Sequence, residues 1–380
     1  MEEIYVDHAA TSPVHPLVVE AMVPYFTEVF GNPSSIHRFG RKSRQALDLA
    51  RRTLARSIGA SVDEIIFTSG GTEADNLAII GYATRHQDKG KHIITSSIEH
   101  HAVLHSCKAL ENSGFEVTYL PVDETGMVSL DDLKNTVRED TILVSIMFGN
   151  NEIGTIQPIA EIGEFLRGKE TVFHTDAVQA YGIETINVAE LGVDFLSVSS
   201  HKINGPKGVG FLYAKKGLVM TPHSYGGEQE RKRRAGTENV AGVVGFGKAS
   251  ELAFETIDER KIMYQQFQAQ MLEIFDNEGV DYSRNGSATS CLPHILNVSF
   301  PGVSIEALLV NLDMVGIAAS SGSACTAGSI QTSHVLEATC GDSERSLSAI
   351  RFSFGYGNTV DQVKKVAIET ANIVRRLRTV

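Results

Sequence analysis

The amino-acid sequence predicts an α/β protein: a large domain built on a mostly parallel, seven-stranded sheet flanked by helices, and a smaller α+β domain. Three observations support this. The chain has 380 residues, a length typical of two domains. Between residues 60 and 215, short runs rich in β-branched and aromatic residues alternate with longer amphipathic stretches. After residue 245 this alternation gives way to a different mixture of elements. Strand–helix alternation is typical of a parallel sheet covered on both faces.

The predicted elements can be placed in chain order. Two helices come first, at residues 16–29 and 40–58. Seven short apolar runs then predict strands at 65–67, 92–95, 117–120, 142–146, 172–174, 195–198 and 210–213. Amphipathic stretches between several of them predict helices at 73–86, 100–113, 129–138 and 158–167. The remainder is predicted as a long helix 245–277, strand 295–300, helix 304–313, strand 350–354 and helix 359–378. We expect a large domain at 15–250 and a small domain at 1–14 plus 251–380.

Composition excludes several classes of protein. The chain carries 34 Lys and Arg against 46 Asp and Glu, a net charge of −12, so bulk charge does not attract nucleic acid or anionic membrane. Its 4 cysteines form no CxxC pair, which argues against the usual zinc and redox spacings and is typical of a reducing compartment. HExxH is absent among 13 histidines, so no metal site is expected. Neither a secretory signal nor a spanning helix is recognisable, and we expect a cytoplasmic protein.

Polar residues follow five of the predicted strands directly. In an open α/β sheet, ligands bind beyond the carboxyl ends of the strands. The five groups therefore predict one binding site for a polar, phosphorylated small molecule. They are Gly70-Gly71-Thr72-Glu73, Glu99-His100-His101, Asn150-Asn151-Glu152, Asp176 with Gln179, and His201-Lys202.

The residue types at this edge point to pyridoxal phosphate. Lys202 follows an apolar strand between small residues, where partial burial suits it to form a Schiff base; alternatively it reaches solvent from the strand end. Asp176 ends a neighbouring strand, and a carboxylate facing a pyridinium nitrogen completes the arrangement. The Gly-rich turn at 68–73 leads into a helix whose first N–H groups suit a phosphate; the alternative is a tight turn with Thr72 as helix N-cap.

Three further features carry candidate chemistry. Cys325 lies in a segment of small residues and is expected to be an exposed, reactive thiol, or else incidental. Arg351 begins a strand, where it is either a bidentate clamp for a substrate carboxylate or a structural ion-pair partner. The basic run 231–234 is a solvated loop, a phosphate contact or a docking patch for an acidic partner. No catalytic role is expected for the other cysteines, Cys107, Cys291 and Cys340.

A set of motifs along essentially the whole chain resembles one family. The chain is similar to the cysteine desulfurases, the NifS/IscS-like branch of the class V, fold-type I pyridoxal phosphate enzymes. The stretch 226–234 is most similar to the Gram-positive YrvO-type members, which serve tRNA thiolation. The motifs are YVDHAAT (5–11), GNPSSIH (31–37), TSGGTE (68–73), IEH (98–100), NNEIG (150–154), HTDAVQ (174–179), SSHK (199–202), RAGT (234–237) and SGSACT (321–326).

The resemblance implies a role for each residue that would hold the cofactor. Lys202 would bind pyridoxal 5'-phosphate covalently and move the Cα proton. Asp176 would pair with the pyridinium nitrogen, Gln179 would hydrogen-bond the ring hydroxyl, and His100 would stack on the ring and serve in proton transfer. The phosphate would be bound by Gly71, Thr72, Ser199 and His201.

The resemblance also implies a partner subunit, a substrate and a product. Thr237 would reach the phosphate in the other subunit, which makes the enzyme a homodimer. Asn151 and Arg351 would bind the carboxylate of L-cysteine. Cys325 would attack the substrate sulfur, leaving alanine and an enzyme persulfide. The residues after Cys325-Thr326 differ from those of many family members, which leaves the preferred sulfur acceptor open.

Several alternatives to a cysteine desulfurase stay open at this level. The sulfur acceptor is either a tRNA thiouridylase or an Fe–S scaffold, and direct binding of nucleic acid or membrane is not expected. The enzymatic alternatives are a selenocysteine lyase and a class V aminotransferase. The non-enzymatic one is a sulfur-carrier or scaffold protein that keeps the fold for docking.

Overall fold

The computed structural model describes residues 3–321, 332–341 and 344–379. Its first half contains, in chain order, β1 (Ile4–Tyr5), α1 (Pro16–Met22), α2 (Pro24–Thr27), α3 (Arg38–Ser57), β2 (Ile65–Thr68), α4 (Gly71–Arg85), β3 (His92–Ser96), α5 (His101–Glu111), β4 (Glu116–Leu120), α6 (Leu130–Thr136), β5 (Thr141–Ser145), α7 (Ile159–Leu166), β6 (Val172–Asp176), α8 (Val188–Leu191), β7 (Phe195–Ser199) and β8 (Gly210–Ala214).

The second half contains longer helices and a smaller sheet. Its elements are α9 (Val240–Glu255), α10 (Ile257–Asn277), β9 (Ser283–Asn285), β10 (Ile295–Ser299), α11 (Ile305–Met314), β11 (Ile317–Ala318), α12 (His334–Cys340), α13 (Glu344–Leu347), β12 (Ala349–Ser353) and α14 (Val360–Arg378). Short 3₁₀ turns lie at Val62–Glu64, Ser200–Lys202 and Gln229–Lys232. No helix within the described ranges combines the length and apolarity needed to cross a membrane.

The large sheet has seven strands in the order β2-β8-β7-β6-β5-β3-β4. Five neighbouring strands pair in parallel, in the order β4-β3-β5-β6-β7. Strand β8 is antiparallel to both of its neighbours, β2 and β7. All seven predicted strands are present, and the prediction of a mostly parallel sheet is confirmed. The parallel pairing brings the ends of β3, β5, β6 and β7 to one edge.

Two smaller sheets join distant parts of the chain. An antiparallel sheet has the order β12-β10-β9, and β1 pairs in parallel with β11. A bridge from Asp7 to Ser353 then places the segment after β1 beside the end of β12. The strands β1, β9 and β11 were not predicted, because two or three residues are too few to show an alternating pattern.

Two predicted helices are interrupted in the structure. The helix expected at 245–277 begins earlier, at Val240, and breaks at Thr256, whose backbone leaves helical geometry (φ −120°, ψ 16°). The Thr256 hydroxyl donates to the Leu252 carbonyl, a side-chain bond that competes with helix propagation. The helix expected at 16–29 stops at Met22 because Pro24 has no N–H to continue it, and a single turn follows.

One continuous apolar cluster extends from the large sheet to the small one. It includes Phe173 and Phe211 of the large sheet, Phe246 of α9, and Phe352 of the small sheet. Within this cluster, the buried Tyr181 hydroxyl hydrogen-bonds two serines, Ser57 Oγ of α3 at 2.6 Å and Ser250 Oγ of α9 at 2.7 Å. The division into domains at 15–250 and 251–380 stays a prediction.

Candidate active site

A cavity of about 320 Å³ opens where β5, β6 and β7 end and α4 begins. Because parallel strands deliver their carboxyl ends to one edge, side chains far apart in sequence meet there. Ten of the predicted site residues line it: Gly71, Thr72, His100, Asn151, Asp176, Gln179, Ser199, His201, Lys202 and Arg351. Thr237 is exposed and does not line this cavity. Cys325 lies outside the described residues.

The start of α4 forms the end of the cavity that suits a phosphate group. The helix begins at Gly71 with Gly70 as its N-cap (φ +155°), so the alternative reading of Thr72 as N-cap is wrong. A Cβ on Gly71 would lie 2.6 Å from Val178 Cγ2, so only glycine lets helix and loop approach this closely. The first N–H groups of a helix have no partner within it and favour an anion. An adjoining hollow of about 360 Å³ is lined by Gly71, Thr72, Ser199 and His201.

Lys202 and Asp176 reach the cavity from neighbouring strands. Lys202 follows β7, and its Nζ donates to the carbonyls of Ala9 (2.5 Å) and Ala10 (2.8 Å). Asp176 ends β6, and its Oδ1 accepts from the Val178 N–H at 2.9 Å, which fixes the carboxyl group. Burial raises the pKa of Asp176 to about 6, against the lowering effects of that hydrogen bond and of Lys202. A cation arriving in the cavity would favour the ionised form.

His100 is held at the cavity by its capping role. Its Nδ1 accepts from the Ala102 N–H at 3.1 Å, which caps α5. Burial lowers the pKa of His100 to about 4, and Lys202 and the imidazoles of His101, His334 and His105 lower it further. His100 is therefore neutral near pH 7 and able to accept a proton. Burial also lowers the pKa of His201 to about 4, so this imidazole is neutral near pH 7 as well.

Arg351 also lines the cavity. This side chain is only 2% exposed, donates from Nη1 to the Asn151 carbonyl (2.7 Å) and pairs through Nη2 with Asp7 Oδ1 (2.9 Å). Its buried Nε has no hydrogen-bond partner among the described residues. Arg351 therefore forms the structural ion pair, and its role as a bidentate clamp for a substrate carboxylate stays a prediction. Gln179 is also engaged, because its Nε2 donates to the Ala9 carbonyl at 2.9 Å.

Two groups at the site had no predicted role. Ala9 and Ala10 line the cavity through the carbonyls that accept from Lys202, and they belong to a motif whose function the sequence did not reveal. Asp75 also lines the cavity from α4, and its carboxyl oxygen, a His100 ring nitrogen and an Asp176 oxygen lie within 4.8 Å of one another. Asp75 is three residues after Thr72, so the i, i+3 spacing on a helix was the signal available to find it.

The basic run at 231–234 is paired within the chain. Arg231 pairs with Asp63, Lys232 with Glu228 at 3.0 Å, and Arg234 with Glu73 at 2.8 Å, and Arg233 donates to the Asp63 carbonyl. These contacts neutralise much of the run's charge. The remaining cysteines are Cys107, which is fully buried, and the half-buried Cys291 and Cys340, all three unpaired.

Comparison with known proteins places these residues in context. Residues 4–366 match the family model described as Aminotransferase class-V. The chain is 58% identical over 378 residues to "Putative cysteine desulfurase IscS 1" of Bacillus subtilis (strain 168), covering 99% of this chain and 100% of that one. It is 52% identical over 375 residues to "Cysteine desulfurase IscS" of Methanosarcina thermophila, covering 99% and 93%. A solved structure described as a NifS-like protein superposes with a TM-score of 0.93 at 37% identity, covering 99% and 100% of the two chains.

Proposed function

Because the chain belongs to the class-V aminotransferase family and is a pyridoxal phosphate-dependent cysteine desulfurase of the NifS/IscS-like branch, we propose that the cavity at Lys202 is its active site. One observation supports this above all: a lysine, a buried carboxyl group and a neutral imidazole from three strand ends line one cavity beside a helix N-terminus. The reaction removes sulfur from L-cysteine and leaves L-alanine. We assign the sulfur to a persulfide on Cys325.

The residues present fit the cofactor. Gly71 has no side chain, which leaves room for a phosphate at the N–H groups of α4. Ser199 and His201 line the same hollow. Lys202 is the amine positioned to hold the cofactor's aldehyde carbon, and Asp176 the carboxyl group positioned for its ring nitrogen. His100 would lie against the ring and Gln179 beside its hydroxyl. When bound, the cofactor supplies an electron sink for charge that develops at the substrate Cα.

The side chains of the cavity then divide the remaining work. Arg351, through its uncommitted Nε, and Asn151 bind the substrate carboxylate and orient the molecule. Lys202 Nζ moves the Cα proton, and neutral His100 accepts or returns a proton in the next step. The Cys325 thiolate attacks the substrate sulfur: an S–S bond forms, the C–S bond breaks, and its electron pair stays with the carbon that becomes the alanine methyl group.

The first experiment measures alanine and sulfide made from L-cysteine by the purified, cofactor-loaded protein with a thiol reductant. Equal amounts of the two are expected. Lys202→Ala should abolish turnover and the cofactor's covalent absorbance band. Cys325→Ser should keep that band but lose desulfuration, whereas Cys340→Ser, the matched control, should retain activity. Unchanged desulfuration in Cys325→Ser would remove Cys325 from the mechanism, and alanine formed only from selenocysteine would favour the lyase.

We also propose that the enzyme is a homodimer in which Thr237 reaches the partner's phosphate. Thr237 is exposed and away from the cavity of its own chain, which suits a contact across an interface. Large apolar side chains exposed on the described surface are candidates for such an interface: Phe26 is 63% exposed, Phe30 64%, Ile36 91% and Tyr225 80%. Sedimentation of the holoenzyme should give twice the 41.2 kDa chain mass, and Thr237→Ala should weaken cofactor binding. A monomer with full activity would contradict this.

The sulfur acceptor and compartment follow as further proposals. We propose transfer to a tRNA thiouridylase, to an Fe–S scaffold or to both, in a reducing cytoplasm. Unpaired Cys107, Cys291 and Cys340 agree with a reducing compartment. Radiolabelled sulfur from L-cysteine, offered to each purified acceptor in parallel, should appear on its cysteines only when Cys325 is intact.

A further inference from the structure

Asp75 is a buried acid in the cavity for which the reaction described above has no use. It is 1% exposed, lies on α4 one turn beyond Thr72, and lines the cavity. Its Oδ1 has no hydrogen-bond partner among the described residues. A polar atom that is buried and unpartnered is costly, so its presence at a ligand cavity points to a partner supplied there.

The basic group that contacts Asp75 among the described residues is an uncharged imidazole. His174 lies closest, with Nε2 3.5 Å from Asp75 Oδ1. Its ring is already engaged, because Nδ1 lies 2.8 Å from Ser145 Oγ and Nε2 lies 3.0 Å from Ser197 Oγ. Burial lowers the pKa of His174 to about 3, so this imidazole is neutral and does not form an ion pair.

Two other acids face Asp75 and oppose its ionisation. An oxygen of Asp176 on β6 and a ring nitrogen of His100 lie within 4.8 Å of it, and the buried carboxyl group of Glu99 also raises its pKa. Burial raises the pKa of Asp75 well above its ordinary value and Asp176 raises it further, against a smaller lowering effect of the Ser197 hydroxyl. Lys202 favours ionisation of Asp176, since it lowers the pKa of that carboxyl group. Carboxyl groups this close and this buried cannot all ionise.

We propose that Asp75 is a positioning residue for the cofactor: it remains a neutral carboxylic acid, donates a hydrogen bond at the Asp176 end of the cavity, and leaves the single negative charge to Asp176. This rests on the proposed function, because it assumes a cofactor ring nitrogen facing Asp176. The helix α4 would then serve both ends of the cofactor, with Thr72 at the phosphate and Asp75 at the ring.

The first test uses the apoprotein, without cofactor or turnover. Asp75→Asn keeps a neutral hydrogen-bond donor but removes the cost of burying an ionisable acid. A group whose folded pKa is raised loses stability as pH rises from its unfolded pKa toward its folded pKa. The melting temperature of Asp75→Asn should therefore exceed that of the wild type by a margin that grows as pH rises above the ordinary carboxyl pKa of about 4. A pH-independent difference would show that Asp75 ionises normally and would overturn the proposal.

The second test measures the dissociation constant of pyridoxal 5'-phosphate from its absorbance change. Asp75→Asn should bind within about threefold of the wild type, whereas Asp75→Leu, which lacks the donor, should lose about tenfold or more. Asn76→Leu introduces the same side chain at the next position of α4, outside the cavity lining, and should bind normally. An equal loss in Asp75→Asn and Asp176→Asn would make Asp75 a charged counter-ion and refute its neutral role.

The remaining outcomes are also decisive. Wild-type affinity in Asp75→Leu would refute a positioning role. If Asp75→Leu does not fold, the melting curves and affinity of Asp75→Asn decide the question. A wild-type protein that fails to bind the cofactor would instead refute the proposed function, and the apoprotein melting curves would still report the charge state of Asp75.

Discussion

The buried ion pair between Arg51 and Glu230 should be a major source of stability for the loop that follows β8. Glu230 accepts from both guanidinium ends, at 2.7 Å and 2.6 Å, and from the Phe67 N–H at 3.1 Å. The side chains of Arg51 and Glu230 are only 15% and 3% exposed. The pair holds a strained segment, because Glu230, Arg231 and Lys232 have φ of 46°, 60° and 67°.

Removing one charge of this pair should be expensive. Glu230→Gln would leave the Arg51 guanidinium buried without a counter-ion, a change that typically costs about 3–5 kcal/mol. Unfolding entropy of about 2.1 cal/mol/K per residue implies roughly 0.8 kcal/mol per degree for a chain of this length. The expected fall in melting temperature is therefore about 4–6 °C.

The assay is thermal unfolding by circular dichroism, with an exposed ion pair of the same loop as control. Arg231 and Asp63 form that pair, with side chains 62% and 48% exposed, so Asp63→Asn should lower the melting temperature far less than Glu230→Gln. The double variant Arg51→Met/Glu230→Gln should be less destabilised than the sum of the single variants, since no unpaired charge remains. The reasoning is refuted if Glu230→Gln costs no more than Asp63→Asn, or if the two changes in the double variant are additive.

Three further predictions follow from burial and close contacts. Burial raises the pKa of Glu99 to about 8, so the protein loses stability as pH rises from about 4.5 to about 8. Glu99→Gln should gain stability over the wild type across that window and no further above it, as seen in melting curves; a constant gain would contradict this. Gly71→Ala would place a Cβ 2.6 Å from the Val178 side chain and should weaken cofactor binding about tenfold or more in an absorbance titration. Gly226→Ala is the control, because its Cβ would have its nearest contact at 3.4 Å, and it should bind the cofactor normally. Burial raises the pKa of Cys107 to about 12, so iodoacetamide should leave this thiol unlabelled in the native protein. The half-buried Cys291 should react, and mass spectrometry distinguishes the two sites. Rapid labelling of Cys107 would disprove its burial.

The sequence by itself determined the fold class and most of the cavity lining. Short β-branched runs predict strands because their pattern is local, and residues that follow parallel strands must share one edge. For this reason Lys202, Asp176, His100 and Gly71 were predicted to meet, and all four line the cavity. The resemblance to a family added roles to these residues.

Only the tertiary structure decided what surrounds each group. Burial and neighbouring charges depend on chain segments brought together by folding, so the sequence could not show that Asp75 lies close to both Asp176 and a neutral His174. Nor could it show that Arg351 is engaged by Asp7, 344 residues away, through the pairing of the N-terminal segment with β12. The break at Thr256 was not predicted, because hydrophobic periodicity does not report a single hydrogen bond from a side chain to the backbone. Local patterns specify elements, whereas pKa values and ion pairs are properties of the assembled interior.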